Sequence, residues 1–237
     1  MRRTILVSLL CVFMAGPAFA DFQVWHTDVD PGLSMTIDSS GYDGTVLAGV
    51  NRLMIDGSTS LDGTGVEAFC IDVWDTIPAQ GDNAMYNAVP LNQAPDPGAA
   101  PVGGMGLTKA RHVAQLLDQW WGAAVVASSA DVQAAALQLA VWEAVDELAT
   151  NTYDVTTGQF SATGNSEAIS MANQMLGLID LDDTTVALDR YLALTNDTTS
   201  GIVGTYQDFV VKVPAPAALV LGLLGMSVAG LKLRKHA

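Results

Sequence analysis

Alternation of apolar and polar residues governs the first third of the chain and predicts β-strands. The clearest short runs, separated by Asp-Gly and Ser-Gly turn signals, are 22–25, 33–37 and 45–55. The strongest predicted strand is 67–77, with Cys70 and Asp72 on one face and Phe69 and Ile71 on the other. The segment 78–106 is rich in Pro, Gly, Asn and Ala and is interpreted as a long loop.

The apolar spacing changes to three and four residues from Leu107 onward, which predicts helices. The predicted helices are 107–124, about 130–149 and 166–179. Short strands are predicted near Tyr153 and Phe160, and longer ones at 185–194 and 201–213. Strands, a helical block and further strands together predict an α+β fold that is mainly β. We expect a β-sandwich or barrel with a helical subdomain inserted at about 107–149.

The N-terminus has the three parts of a secretory signal peptide. Met1-Arg2-Arg3 is basic, an apolar run follows, and Ala18-Phe19-Ala20 forms an A-x-A cleavage site. Residues 1–20 are therefore predicted to be removed, with cleavage between Ala20 and Asp21. Cys11 lies in the apolar run and leaves with the signal peptide.

The C-terminal segment, 214–237, combines a short proline motif, an apolar run and a basic end. The motif is Pro214-Ala215-Pro216, and the apolar run is 217–231. A helix of this length spans about 22 Å, which is short for a bilayer core of about 30 Å. It is interpreted as a marginal transmembrane helix whose positive end stays cytoplasmic, the alternative being a permanent anchor.

This C-terminal layout resembles the PEP-CTERM sorting signal of Gram-negative bacteria. The resemblance covers about the last 25 residues, and Ala215 stands where the family motif has Glu. It implies that an exosortase-type sorting enzyme recognises and removes the tail after transient anchoring in the inner membrane. Hosts of this system typically make exopolysaccharide, which is therefore an expected partner.

Residues 21–213 are expected to form one domain with a strongly acidic balance. All 25 acidic residues of the chain lie there, together with only five of its ten basic residues, which gives the exported part a net charge of −20. Such a charge repels nucleic acid and anionic lipid, so both are excluded as partners. No cofactor or metal site is expected, because the acidic turns lack EF-hand spacing and the histidines are too few for zinc.

Cys70 is the only cysteine left in the exported part, so no intramolecular disulfide can form there. A lone thiol in an oxidising compartment is a liability. The Cys70 thiol is therefore either buried and inert or bonded to another group of the protein. A second residue, Gln138, stands among apolar helix neighbours such as Ala134, Ala135 and Val141. It is either a core glutamine that bonds a neighbouring backbone or the partner of Cys70 in an internal thioester.

A thioester requires a free thiol, an adjacent carboxamide and a dry pocket. Aromatic residues near both segments are candidates for that pocket: Phe69, Trp74, Trp120, Trp121 and Trp142. Proton transfer during bond formation would need an acid or base, for which Asp72 is the first candidate. Glu143 and His112 are further candidates.

The two segments resemble the thioester domains of bacterial surface adhesins. The cysteine motif is Phe69-Cys70-Ile71-Asp72, and the glutamine motif runs from Leu137-Gln138 to Val141-Trp142. Leu137 replaces the family Thr, and Val141 replaces Ile. The resemblance implies that Cys70 is the thiol donor and Gln138 the acyl donor, with Asp72 and Trp142 in support. It also implies a single-use, non-enzymatic reaction with a Lys amine or a hydroxyl on a target.

The sequence thus predicts a protein of the cell surface or extracellular matrix of a Gram-negative bacterium, which attaches covalently through its thioester. Two alternatives stay open. One is a non-catalytic structural component of an exopolysaccharide matrix with a buried, reduced Cys70. The other is a cysteine hydrolase that uses Cys70 with His112 or His26.

Overall fold

A computed structural model describes residues 22–39, 42–56, 64–79, 83–96, 103–126, 130–147, 152–196 and 206–213. Its strands are β1 Phe22–Asp38, β2 Asp43–Asp56, β3 Thr64–Cys70, β4 Asn83–Pro90, β5 Pro95–Asp96, β6 Gly103–Gly104, β7 Ser161–Thr163, β8 Tyr191–Thr195 and β9 Phe209–Lys212. Its helices are α1 Gly106–Val125, α2 Asp131–Asp146 and α3 Ser166–Leu176. The predicted α+β class with a mainly β character is confirmed at this level.

The main sheet is antiparallel throughout and closes on itself. Its strand order is β2-β3-β9-β8-β4-β1-β7, and β1 also pairs with β2. Six strands therefore form a closed ring, and β7 extends the far end of β1. Closure satisfies the backbone groups that open sheet edges would leave unpaired.

Strand β1 is long and bent, and it pairs with three other strands, β2, β4 and β7. Its register with β2 shifts between His26 and Asp28 and again between Val29 and Gly32. Gly32 and Gly49 face each other at the second shift, where an added Cβ would meet the opposing backbone. The absent side chains let the two strands approach closely at the bend.

Helix α2 lies in the interior of the molecule. It packs against β1, β2 and β3 on one side and against α1 and α3 on others. Every residue from Ala134 to Asp146 is buried. Its first-turn Asp131 accepts a hydrogen bond from the Gly32 backbone N–H at 3.2 Å, which ties the helix start to the bend in β1. Polar side chains along α2 are therefore held inside the protein.

The structure corrects several sequence-based boundaries. Strand β4 occupies part of the segment predicted as a loop, because Ala84 and Tyr86 alternate inward and the strand pairs with β1 and β8. Pairing with two neighbouring strands and burial of alternate side chains stabilise this strand, although Asn and Pro disfavour strands. The predicted strand 67–77 ends at Cys70, where the chain turns away from the sheet.

The predicted helices and the last two strands agree better with the structure. The three predicted helices are present with ends shifted by a few residues, and β8 and β9 are shorter than predicted. Residues 152–160 contain no strand at Tyr153, whereas β7 begins just after Phe160. The helical insertion contains α1 and α2, and α3 lies outside it between β7 and β8.

The signal peptide, its Ala20–Asp21 cleavage site, the Pro214-Ala215-Pro216 motif and the predicted helix 217–231 lie outside the described residues. Within the ranges that are described, no helix combines the length and apolar character needed to cross a membrane.

Gly122 in α1 offers a test of the helix assignment. It is exposed, and an added Cβ would meet nothing within 4 Å. Gly122→Ala should therefore raise the free energy of unfolding by about 0.5–1 kcal/mol, because glycine costs backbone entropy in a helix. Thermal and urea unfolding measure the change. Gly164→Ala is the control and should destabilise, because Gly164 has a φ of 127°. A loss of stability in Gly122→Ala would contradict the assignment.

Candidate functional site

The site lies where β3 ends against the middle of α2. The ladder between β2 and β3 runs from Ile55↔Thr64 to Asn51↔Ala68, so Cys70 lies beyond its last paired residue. On its other edge, Cys70 is still paired with Phe209 of β9. The backbone N–H and C=O of Cys70 that face away from β9 therefore need other partners.

The side chain of Gln138 supplies both partners. The Cys70 N–H donates to Gln138 Oε1 at 2.9 Å, and Gln138 Nε2 donates to the Cys70 carbonyl at 2.7 Å. The carboxamide thus takes the place that the next β2 residue would occupy in the ladder. Gln138 is fully buried and both ends of its amide are satisfied. The structure therefore brings together the two residues that the sequence paired.

The thiol of Cys70 is held by the turn that follows β3. Cys70 Sγ donates to the Asp72 carbonyl at 2.7 Å, and the Asp72 N–H approaches Sγ at 3.4 Å. The Asp72 carboxylate accepts a hydrogen bond from the Trp74 N–H at 2.8 Å. The prediction that Asp72 shares a strand face with Cys70 was wrong, because the strand has already ended. The turn nevertheless places Asp72 beside the thiol.

Burial controls the protonation of both groups. It raises the pKa of the Cys70 thiol well above its usual value, and the nearby Asp72 carboxyl raises it further. Burial also raises the pKa of Asp72, to about 7, with Asp75 adding to the effect. Trp142 acts on the thiol in the opposite sense, as a donor that favours the thiolate. Its indole N–H nevertheless has no partner within ordinary hydrogen-bonding geometry.

Some of the aromatic residues that the sequence predicts around the thiol belong to the buried core. Phe69 packs edge-to-face on Trp121 with ring centroids 5.3 Å apart, and Trp142 packs against Phe160 at 6.2 Å. Phe69, Trp121 and Trp142 are buried, whereas Trp74 and Trp120 are only half-buried. Three of the five predicted aromatic residues thus belong to the core, and Trp74 lies nearer the surface.

Neither histidine forms a catalytic pair with the thiol in the described part of the chain. His112 is buried, and its Nδ1 lies 2.7 Å from the hydroxyl of Tyr153. Burial lowers the pKa of His112, and it lowers that of His26 on β1 as well. The hydrogen bonds of the thiol go to Asp72. This geometry gives no support to the hydrolase alternative.

Glu143 is buried but serves a different region from the thiol. Its Oε1 accepts a hydrogen bond from the Asp154 N–H at 2.8 Å, and Glu147 Oε2 accepts one from the Gln159 N–H at 2.7 Å. A carboxyl group in the last turn of α2 and one just after its end thus hold the segment 154–159. The spacing of four residues between Glu143 and Glu147 could have revealed this shared role. Glu143 is correspondingly not among the groups that shift the pKa of Cys70.

Among the described residues, no group of three or more His, Cys, Asp or Glu side chains is arranged to hold a metal ion.

Comparison of this chain with protein-family models, with curated proteins and with solved structures found no match.

The buried carboxyl of Glu143 generates a pH-dependence prediction. Burial raises its pKa from 4.5 to about 8, so the folded state holds the proton more tightly than the unfolded state. The contribution of Glu143 to the free energy of unfolding is therefore complete below pH 4.5, and it is lost as the pH rises toward about 8. Glu143→Gln should flatten this decline by an amount on the order of a few kcal/mol. Urea unfolding between these two pH values measures it.

The matched control is Glu167→Gln, which makes the same chemical change at an exposed position on α3. It should keep the wild-type slope of stability against pH. An unchanged slope in Glu143→Gln would show that the carboxyl does not retain its proton in the folded state.

Proposed function

We propose that this chain is an exported protein of the cell surface or extracellular matrix that attaches covalently to a target through an internal Cys70–Gln138 thioester. The observation that carries the proposal is the double hydrogen bond between the Gln138 carboxamide and the Cys70 backbone. It holds an acyl group against the only cysteine of the exported part. The low exposure of both residues adds the protection that a reactive ester needs.

Bond formation follows from this arrangement. The Cys70 sulfur attacks Cδ of Gln138, and the negative charge that develops on Oε1 is met by the Cys70 N–H that already donates to it. The tetrahedral intermediate then expels Nε2 as ammonia, which carries away the proton that the thiol gave up. Asp72, with a pKa of about 7, is suited to pass that proton between sulfur and nitrogen.

Capture of a target breaks the same C–S bond. An amine or hydroxyl of the target adds to the thioester carbonyl, the C–S bond breaks, and the sulfur of Cys70 receives a proton. The acyl group of Gln138 is then joined to the target by an amide or ester. The protein is consumed once and does not turn over, so it is not an enzyme. The buried position of the site slows hydrolysis before the target arrives.

The location in this proposal rests on the termini. The predicted signal peptide directs export, and the PEP-CTERM-like segment directs transient inner-membrane anchoring and processing by an exosortase-type enzyme of a Gram-negative host. The high acidic charge keeps such a protein soluble in a polysaccharide matrix. The expected partners are a surface polymer or protein that carries a Lys amine or hydroxyl, and exopolysaccharide.

A second candidate function is a passive structural component of an exopolysaccharide matrix with a reduced, buried cysteine. One observation favours it: the Gln138 amide and the Cys70 thiol already have hydrogen-bond partners in their unlinked forms. A satisfied core glutamine that ties a helix to a strand needs no further chemistry to be useful.

Treatment of the secreted protein with methylamine tests the proposal. Peptide mapping should find a methylamide on Gln138 together with a Cys70 thiol that becomes available to alkylation. Cys70→Ala should take up no methylamine, since it cannot form the thioester. A wild-type protein without adduct, whose thiol labels only after unfolding, would instead support the matrix component.

A further inference from the structure

A narrow crevice lies next to the candidate thioester. It is lined by Ile71, Asp72, Val73, Trp74, Trp142, Val145 and Asp146. One wall is the turn that holds the Cys70 thiol, and the other is the C-terminal part of α2, the helix that carries Gln138. Cys70 and Gln138 are not themselves lining residues, but Ile71 follows Cys70 directly and Trp142 lies one helical turn after Gln138, so the crevice lies beside the proposed bond.

We propose that this crevice is the route by which a target nucleophile reaches the thioester, and that Asp146 on its helical wall makes the route selective for a primary ammonium group over a neutral nucleophile. The inference rests on the proposed function, because the acyl group that it serves is the thioester itself.

The size of the crevice limits what can enter. Only about 10 Å³ of it is open to the centre of a water-sized group, which corresponds to roughly one water molecule. A terminal ammonium group is of similar size, so the crevice admits the reacting end of a target side chain while the chain behind it stays at the mouth. Trp74 is the one lining residue that is not buried, so it marks the mouth. The acceptable target is therefore a slender side chain such as that of lysine.

The charge of the lining residues favours some target groups over others of the same size. Asp72 and Asp146 are each 5% exposed, and they are the two ionisable residues of an otherwise apolar lining. A cation that enters is attracted by both carboxyl groups in a poorly screened setting. Indole rings such as those of Trp74 and Trp142 also attract ammonium groups. A neutral nucleophile gains neither the attraction to the carboxyl groups nor the attraction to the indole rings.

The inner wall holds an unused donor. Trp142 is 3% exposed, and its indole N–H has no hydrogen-bond partner. The same indole favours the ionised form of the Cys70 thiol. A donor in this position would stabilise the sulfur as it leaves with the electrons of the C–S bond. This second feature ties the crevice to the reaction.

The transfer step balances without any further reactant. The ammonium first gives one proton to the Asp72 carboxylate, which leaves a neutral amine. The amine adds to the Gln138 acyl carbon, the C–S bond breaks, and the sulfur takes the second proton from nitrogen. The products are an amide, a Cys70 thiol and a protonated Asp72, which returns its proton to solvent.

The test compares n-butylamine, a cation at pH 7, with hydroxylamine, which is largely neutral there. Each rate of adduct formation on the secreted protein is divided by the rate with a small thioester free in solution, which removes intrinsic reactivity. This normalised rate should favour n-butylamine by tenfold or more in the wild type. Asp146→Asn should reduce that preference to near unity. Asp189→Asn, which removes the same charge from an exposed site, should leave it intact.

Equal normalised rates in the wild type would overturn the selective route, and this comparison needs no variant that might fail to fold. A preference that survives in folded Asp146→Asn would overturn the role of Asp146. An absence of adducts with both reagents would overturn the thioester itself, and the inference with it.

Discussion

The pair of hydrogen bonds between the Gln138 side chain and the Cys70 backbone is the interaction on which the site depends. It joins the buried helix α2 to the end of β3, at the point where the β2 ladder stops. Without it, one buried N–H and one buried C=O would lose their partners, and each loss costs about 1–3 kcal/mol. A polar residue in the buried part of α2 is thus explained by the strand that it completes.

The same burial has two opposing effects on the chemistry. It would exclude water from the proposed thioester, which water hydrolyses, but it also raises the pKa of the Cys70 thiol and so disfavours the thiolate. The Cys70 N–H on Oε1 and the indole of Trp142 act against the second effect. In the proposed thioester, local donors would assist formation of the bond, and the buried position would slow its hydrolysis.

Local pattern was sufficient for some parts of this fold. The helices followed from apolar spacing, and the pairing of Cys70 with Gln138 followed from one thiol and one misplaced amide. Strand β4 escaped detection because its identity depends on pairing with β1 and β8, which are distant in sequence. Strand β3 ends at Cys70 because the chain turns there toward Asp72. The alternation of apolar and polar residues continues past this point, so it does not show where the strand ends.

The roles of buried polar residues were the hardest to foresee. His112 was considered as a catalytic base, yet it is buried and bonded to Tyr153 in a segment 41 residues away. Glu143 was considered for proton transfer, yet it holds the Asp154 backbone. The only sequence signal of Asp146 is a helical spacing of four from Trp142. Each role depends on a tertiary contact that sequence spacing alone does not contain.

The intact mass of the secreted wild-type protein, measured after denaturation at low pH beside Cys70→Ala, tests the central claim most directly. The account predicts that the wild type is lighter than its calculated mass by one ammonia, whereas Cys70→Ala has its full calculated mass. Comparison of the pair removes any uncertainty about where the termini are processed. A wild-type chain with its full mass, the ammonia still present, would contradict the account.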